Sequence, residues 1–314
     1  MKKLFLYFKK YNSYYYLLLA FICLTPWITP PVALFLGLLF ALTLGSPFPV
    51  FNKKASRYLL QIAVVGLGFG MNLHESLQAG SDGIIFTVIS VVSVMALGIL
   101  LGKMYKVNKV TSYLISSGTA ICGGSAIAAV GPISKANQNQ MTISLATVFV
   151  LNAIALFIFP VLGHWLNLSQ HQFGVWAAIA IHDTSSVVGA GSAFGEEALK
   201  VATTVKLTRA LWIIPLSVFT TFYFKSKSDK LYIPWFILFF IIAMIINTYL
   251  NIPKQITSAI VTVSHQSLTL TLFFIGAGLS RSTIKAVGIK PLMLGVSLWF
   301  FIGIVSLLFI FLFY

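Results

Sequence analysis

The sequence predicts an all-α polytopic membrane protein with about 9–11 transmembrane segments, two of them interrupted or re-entrant, built on inverted repeats. Three observations carry that prediction. Of 314 residues, 58% are hydrophobic and 9% are charged, whereas an ordinary soluble domain is about a quarter charged. Apolar runs long enough to cross a hydrocarbon core of roughly 30 Å recur along the whole chain. Two of those runs are broken in the middle, one by glycines and one by a polar cluster. A soluble globule with so few charges would expose large apolar patches. That excludes a soluble enzyme, a DNA-binding protein and a disordered chain.

The candidate segments are 13–29, 31–46, 57–73, 83–102, 112–132, 141–163, 172–194, 201–224, 232–250, 256–280 and 291–313. Their connectors are short and no hydrophilic domain is inserted, so the expectation is a single integral membrane domain over 1–314. The first segment follows Lys2, Lys3, Lys9 and Lys10 and could mimic a signal peptide. No small-residue cleavage site ends it, and Pro26, Pro30 and Pro31 follow, so it reads as a retained helix.

Lys and Arg total 21 against six acids, a formal net charge of +15. In a soluble chain that excess would suggest nucleic acid. Here the basic residues lie in short runs between apolar stretches, as cytoplasmic loops do. The runs Lys53/Lys54/Arg57, Lys103/Lys106/Lys109, Lys225/Lys227/Lys230 and Arg281/Lys285/Lys290 share one side with the N-terminus, and the segment 74–82, without Lys or Arg, falls on the other. This predicts a cytoplasmic N-terminus and Tyr314 outside. Cys23 and Cys122 lie in separate apolar segments, which excludes a disulfide framework and a cysteine metal site. His164 and His171 share a connector and make only a weak metal signal, so no metal or cofactor is expected.

Two internal similarities bear on the fold. GFGMNLHESLQAG at 68–80 aligns with GAGLSRSTIKAVG at 276–288, mainly through glycines. AICGGSAIAAVG at 120–131 aligns better with AIHDTSSVVGAG at 180–191. Each member of the second pair is an apolar half, a break and another short half, followed by a long apolar helix with a late proline, Pro160 or Pro215. Paired interruptions in two halves point to a transporter's midplane site. If both cross, eleven spans result; if both are re-entrant, nine full spans remain and the two enter from opposite faces. The basic-loop pattern fits either.

At the first break, Gly123 and Gly124 remove side chains and free backbone N–H groups. The half-helix from Ser125 would then present its positive dipole end to an anion. Thr119, Cys122 and Ser125 flank it, with Cys122 reading as a small packing residue rather than a nucleophile. The second break, His182-Asp183-Thr184-Ser185-Ser186, is the most polar run inside an apolar segment, and Asp183 is the one acid inside a predicted span. Ionisable residues at membrane depth are costly and default to function. Lys206 and Arg209, three apart on one helix face, could neutralise Asp183, bind an anionic substrate, or alternate between the two. The hydroxyls of Thr184, Ser185 and Ser186 suit an oxyanion or Na⁺. Gln61, Asn72, Asn152, Asn247, His265 and Gln266 read as interhelical hydrogen bonds or interface residues.

These same blocks carry a resemblance. GTAICGGSAIAAVGPI at 118–133, AIHDTSSVVGAG at 180–191 and TTVKLTRALWIIP at 203–215, preceded by LLQIAVVGLGFGMNL at 59–73, resemble the YeiH-type bacterial membrane proteins, a family described as sulfate exporters. The resemblance spans nearly the whole chain after the first helix. It implies a multi-pass transporter of the bacterial inner (cell) membrane, related in fold to cation–proton antiporters and bile-acid-type symporters.

The function expected is secondary transport of a small anion, of sulfate or sulfonate type by the resemblance, coupled to H⁺ or Na⁺ through His182 or Asp183. Thr119, Cys122, Gly123, Gly124, Ser125, Thr184, Ser185, Ser186, Lys206 and Arg209 are the candidate substrate contacts. The expected partners are a small inorganic or organic anion, the coupling ion, the bilayer and a second copy in a homodimer, with no nucleic acid. No nucleotide-binding motif is present, so a gradient must drive uphill movement. Two alternatives compete. An intramembrane Ser/His hydrolase would pair Ser125 with His182 or His265, and a channel would need no alternating access.

Overall fold

The computed structural model describes residues 12–25, 27–74, 84–225, 235–250, 252–278 and 288–313. Among them every regular element is helical. Among the described residues, five helical stretches are long and apolar enough to cross a bilayer: Phe86–Met104, Gln138–Trp165, Glu196–Tyr223, Lys254–Gly278 and Ile289–Phe313. The chain divides into two compact units, one of residues to Leu73 with Phe236–Thr283, the other of His74–Trp235 with Ile284–Tyr314.

The first unit holds α1 (Asn12–Ile22), α2 (Pro30–Thr43), α3 (Pro49–Leu67), α12 (Trp235–Tyr249, from Phe236 on) and α13 (Lys254–Gly278). Helices α2 and α3 both start on prolines, which are pre-set for the first turn and give up no needed N–H. Helix α13 packs along α2 by glycines on both sides. A Cβ on Gly37 would lie 2.8 Å from Ala277 N, and one on Gly276 would lie 2.8 Å from Leu38 N. Small residues let backbones touch where lipid supplies no hydrophobic drive to association. Tyr16 packs with Cys23, Phe40, Phe273 and Phe274 and donates its hydroxyl to Asn52 Oδ1 at 2.7 Å. Beyond the 3₁₀ turn Gly68–Gly70, Asn247 Nδ2 donates to Met71 O at 3.1 Å and Leu73 N donates to Thr248 Oγ1 at 2.9 Å. Much of the glycine-based similarity, 75–80 and 279–287, lies outside the described residues.

The second unit holds α4 (Ile84–Met104), α5 (Lys109–Ala120), α6 (Gly124–Ile133), α7 (Gln138–Trp165), α8 (Gln170–Ala180), α9 (Thr184–Phe194), α10 (Glu196–Ala210), α11 (Ile213–Tyr223) and α14 (Ile289–Phe313). Helix α5 runs back along α4, where Gly102 faces Ser112 and Gly98 faces Ser116 so closely that a Cβ on either would lie 2.6–2.7 Å from the serine Cβ.

Contacts along α7 fix the direction of the first interrupted segment. Helix α6 runs antiparallel to α7, with Gly131 against Met141 and Gly124 against Phe149. Helix α5 runs parallel to it, with Gln140 Nε2 donating to Asn108 Oδ1 at 2.9 Å and Gly118 against Val148. Thus α5 enters, breaks at 121–123, and α6 returns to the end where it began. The return is well punctuated: Asn108 caps α5, and an Asn137/Gln140 capping box starts α7, each satisfying orphan N–H groups.

The second interruption does the same from the far end of α7. Phe173 of α8 stacks on Phe194 of α9 at 3.8 Å between centroids, and both rings cover Gly163 near the end of α7. Gln170 Oε1 accepts from Glu197 N at 3.0 Å, which brings the start of α8 to the end of α9. Helix α10 then runs beside α8, with Gly174 against Val201, and antiparallel to α9, with Gly191 against Leu199. It continues into α11, which reaches the Asn137 end, where Tyr113 Oη and Thr220 Oγ1 are 2.6 Å apart.

Of the two topologies the sequence allows, the structure takes the re-entrant one, with two helical hairpins entering from opposite ends of α7. Each hairpin is followed by a long helix running the other way, α7 after the first and α10–α11 after the second. Six lysines of the second unit, Lys103, Lys106, Lys109, Lys135, Lys225 and Lys290, flank the Asn137 end, while Glu196, Glu197 and Lys200 lie at the Ser169 end.

Candidate functional site

The two hairpin tips meet beside the middle of α7. Asn152, near the centre of that 28-residue helix, accepts at Oδ1 from His182 N at 3.1 Å and Asp183 N at 3.3 Å. Two accepted N–H groups fix which amide atom is the oxygen. Gly123 of the first tip lies directly against the second. A Cβ there would sit 3.2 Å from Asp183 Cα and 3.3 Å from His182 O. Gly123 also has φ +64, a conformation that L side chains rarely adopt. Close approach and backbone conformation both require glycine.

Four half-helix ends converge here, and each carries a partial charge of about half a unit. The C-terminal end of α5 is negative, and Arg209 Nη2 donates to Ala120 O at 2.6 Å, with Nη1 on Ser90 Oγ at 3.0 Å. The C-terminal end of α8 is also negative, and Lys206 Nζ donates to Ile181 O at 2.7 Å and Ala178 O at 3.2 Å. Both cations are fully buried. One turn of α10 therefore holds the first halves of both hairpins.

The N-terminal ends are positive and differ from each other. Asp183 is the N-cap of α9, its Oδ2 accepting from Ser185 N at 3.2 Å and from Ser185 Oγ. The N-cap of α6 is Gly123, which has no side chain to offer. The sequence leaves three roles open for the cations, and the structure gives them a fourth. They pair with carbonyls, and among the described residues the Asp183 carboxylate is hydrogen-bonded to Ser185 rather than to either cation.

Thr119, Cys122, His182, Thr184, Ser185 and Ser186 are buried around this crossing, whereas Gly124, Ser125 and Asp183 are half-buried. The less buried residues of the crossing are thus those at the start of α6 and Asp183. Thr119 Oγ1, Asn152 Nδ2, Arg209 Nε and both ring nitrogens of His182 are buried without a hydrogen-bond partner. Ser125 Oγ consequently makes no bond to the His182 ring. Among the described residues no three His, Cys, Asp or Glu side chains come together to hold a metal ion. From sequence, Asn152 reads only as an interhelical hydrogen bond. Its place at mid-length in an apolar helix was the available signal for the hairpin clamp that it forms. Ser90, which receives Arg209, gave no such signal.

Residues 17–295 match the family model described as Conserved hypothetical protein 698. The chain is 62% identical over 287 residues to a UPF0324 membrane protein of Bacteroides thetaiotaomicron, covering 91% of this chain and 87% of that one. It is 58% identical over 290 residues to a UPF0324 membrane protein of Porphyromonas gingivalis, covering 91% and 88%. A UPF0324 membrane protein of Geobacter sulfurreducens is 47% identical over 290 residues, covering 92% and 93%. No solved structure matches. With a family model over most of its length and relatives this similar, the chain belongs to the UPF0324 family of membrane proteins, the same family as the YeiH-type proteins.

Proposed function

We propose that this protein is a secondary transporter of a small anion, of the sulfate or sulfonate kind, and that the hairpin crossing is its binding site. One observation carries the reading: four half-helix ends meet at mid-depth, three are met by charged side chains, and the positive end of α6 is left open on the half-buried side. An anion is what that end lacks. Buried cations spent on carbonyls support the same view, since their charge lies within the crossing while their donors hold the scaffold. Coupling follows from Asp183, a half-buried acid at the crossing. The carbonyls of Ala120, Ala178 and Ile181, which Na⁺ would otherwise use, already receive Arg209 and Lys206. This favours H⁺ as the coupling ion. The excess of lysines at the Asn137 end, six against Lys200 at the other, supports a cytoplasmic position for that end in a bacterial cell by the positive-inside rule, with the first hairpin entering from inside and the second from outside.

The hydrolase alternative asks for a nucleophile bonded to a base, and the unpartnered ring of His182 speaks against Ser125 in that role. A channel would leave the crossing open to both ends at once. The test is flux of labelled sulfate and methanesulfonate into liposomes holding the purified protein, with and without a proton gradient. Saturable flux that responds to the gradient is expected. Flux that neither saturates nor responds, or none above protein-free liposomes, would overturn the reading.

A further inference from the structure

The two tips are in register with one another. In the alignment of 120–131 with 180–191, Gly123 falls on Asp183, Gly124 on Thr184 and Ser125 on Ser185. In the structure Gly123 is the N-cap of α6 and Asp183 the N-cap of α9, so the sequence register and the structural register coincide. At α9 the carboxylate of the N-cap residue accepts two hydrogen bonds from one serine, from Ser185 N and Ser185 Oγ. At α6 the corresponding serine is present and the carboxylate is missing. Ser125 is half-buried, its hydroxyl has no protein partner among the described residues, and the N-cap residue itself brings no side chain to the first turn, where the Cys122 sulfur faces only Ala126 N.

A second feature points to the same place. Asn152 holds Asp183 N and His182 N through its oxygen, and Gly123 packs on those same two residues. Its Nδ2 group, on a side chain only 3% exposed, donates to nothing. Phe149, one turn earlier on the same face of α7, touches Gly124. The Asn152 amide is thus held on the two residues that Gly123 packs against, next to the start of α6. An unsatisfied buried donor of this kind keeps its desolvation cost until it meets an acceptor.

We infer that the transported anion supplies the missing cap. One of its oxygens takes, at α6, the place that the Asp183 carboxylate takes at α9, accepting from Ser125 N and Ser125 Oγ, with Asn152 Nδ2 as a third donor. The ligand class is a small oxyanion with an exposed terminal oxygen: a sulfate, sulfonate or carboxylate. The inference deepens the transporter reading and rests on it. Gly123 is then the absence that makes room for the ligand's oxygen, while Asp183 is its built-in counterpart on the other hairpin.

The experiment measures binding of inorganic sulfate, methanesulfonate and acetate to the purified full-length protein, by titration and by thermal shift. Ser125→Ala removes one donor and should weaken binding at least tenfold. Ser125→Asp puts a carboxylate in the first turn of α6, where it favours the helix end. It should abolish the anion-induced shift while leaving the ligand-free melting temperature at or above that of the wild type. Asn152→Asp keeps an acceptor for His182 N and Asp183 N but turns the donor into an acceptor, and should also weaken binding at least tenfold. Wild-type affinity in Ser125→Ala and Asn152→Asp, or a retained shift in Ser125→Asp, overturns the assignment while leaving anion transport standing. A wild-type protein that neither binds nor moves any of the three probes overturns the transporter reading itself.

Discussion

Gly123 and Asp183 hold the same position in two oppositely directed hairpins, the N-cap of the returning helix, and they touch, with a Cβ on Gly123 placed 3.2 Å from Asp183 Cα. One position offers a carboxylate and the other offers nothing. The asymmetry within this pair gives an otherwise balanced set of helix ends its single vacancy.

Gly123→Ala tests the contact. The added methyl meets Asp183 Cα and His182 O, and φ +64 strains any L residue. A loss of about 1–3 kcal/mol is expected from the backbone conformation alone, seen as a lower melting temperature, together with loss of flux. Gly124→Leu, which would meet Phe149, should abolish flux with the protein still inserted.

The buried cations make a different prediction. If Lys206 and Arg209 neutralised Asp183, removing an acid and a cation together would restore stability. Their donors instead hold Ile181 O, Ala178 O and Ala120 O. Lys206→Met and Arg209→Gln should each cost about 1.5–3 kcal/mol, the scale of hydrogen bonds to charged groups. Adding Asp183→Asn to Arg209→Gln should not rescue it. Unfolding in detergent, followed for the single and double variants, measures this coupling directly.

Asp183 serves α9 as a cap and the proposed cycle as a proton carrier, and two substitutions separate these roles. Asparagine caps about as well as aspartate, whereas alanine costs about 0.5–2 kcal/mol. Asp183→Asn should keep stability within a few tenths of a kcal/mol, by that scale, and flatten the pH dependence of flux. Asp183→Ala should lose both.

The hairpin topology predicts labelling. Single cysteines replacing Asn108 and Asn137 should react with impermeant reagents from one face of the bilayer, and cysteines replacing Ser169 and Gly195 from the other. If Asn137→Cys and Asn108→Cys label from opposite faces, α5 and α6 cross rather than return.

Much of this site was legible in the sequence. The breaks at Gly123 and at His182-Asp183 were visible because glycines and an acid interrupt apolar runs, and the alignment of 120–131 with 180–191 already paired Gly123 with Asp183. Hairpin and crossing could not be told apart, because two changes of parity cancel in the basic-loop pattern. The deciding contacts are tertiary, such as Gln140 with Asn108 and Phe173 with Phe194. The spacing of Lys206 and Arg209 put them on one helix face but could not name the carbonyls they meet. Those carbonyls are freed only where two other helices end.

In the proposed transport cycle the start of α6 is reached alternately from the two faces of the membrane. Ser125→Cys, in a chain with Cys23→Ala and Cys122→Ala, tests this most directly. In liposomes of known orientation, an impermeant thiol reagent should modify this cysteine from either face, and sulfate, at concentrations raised more than tenfold to offset the lost hydroxyl, should slow both reactions. Modification from one face only, unaffected by sulfate, would contradict alternating access to this site.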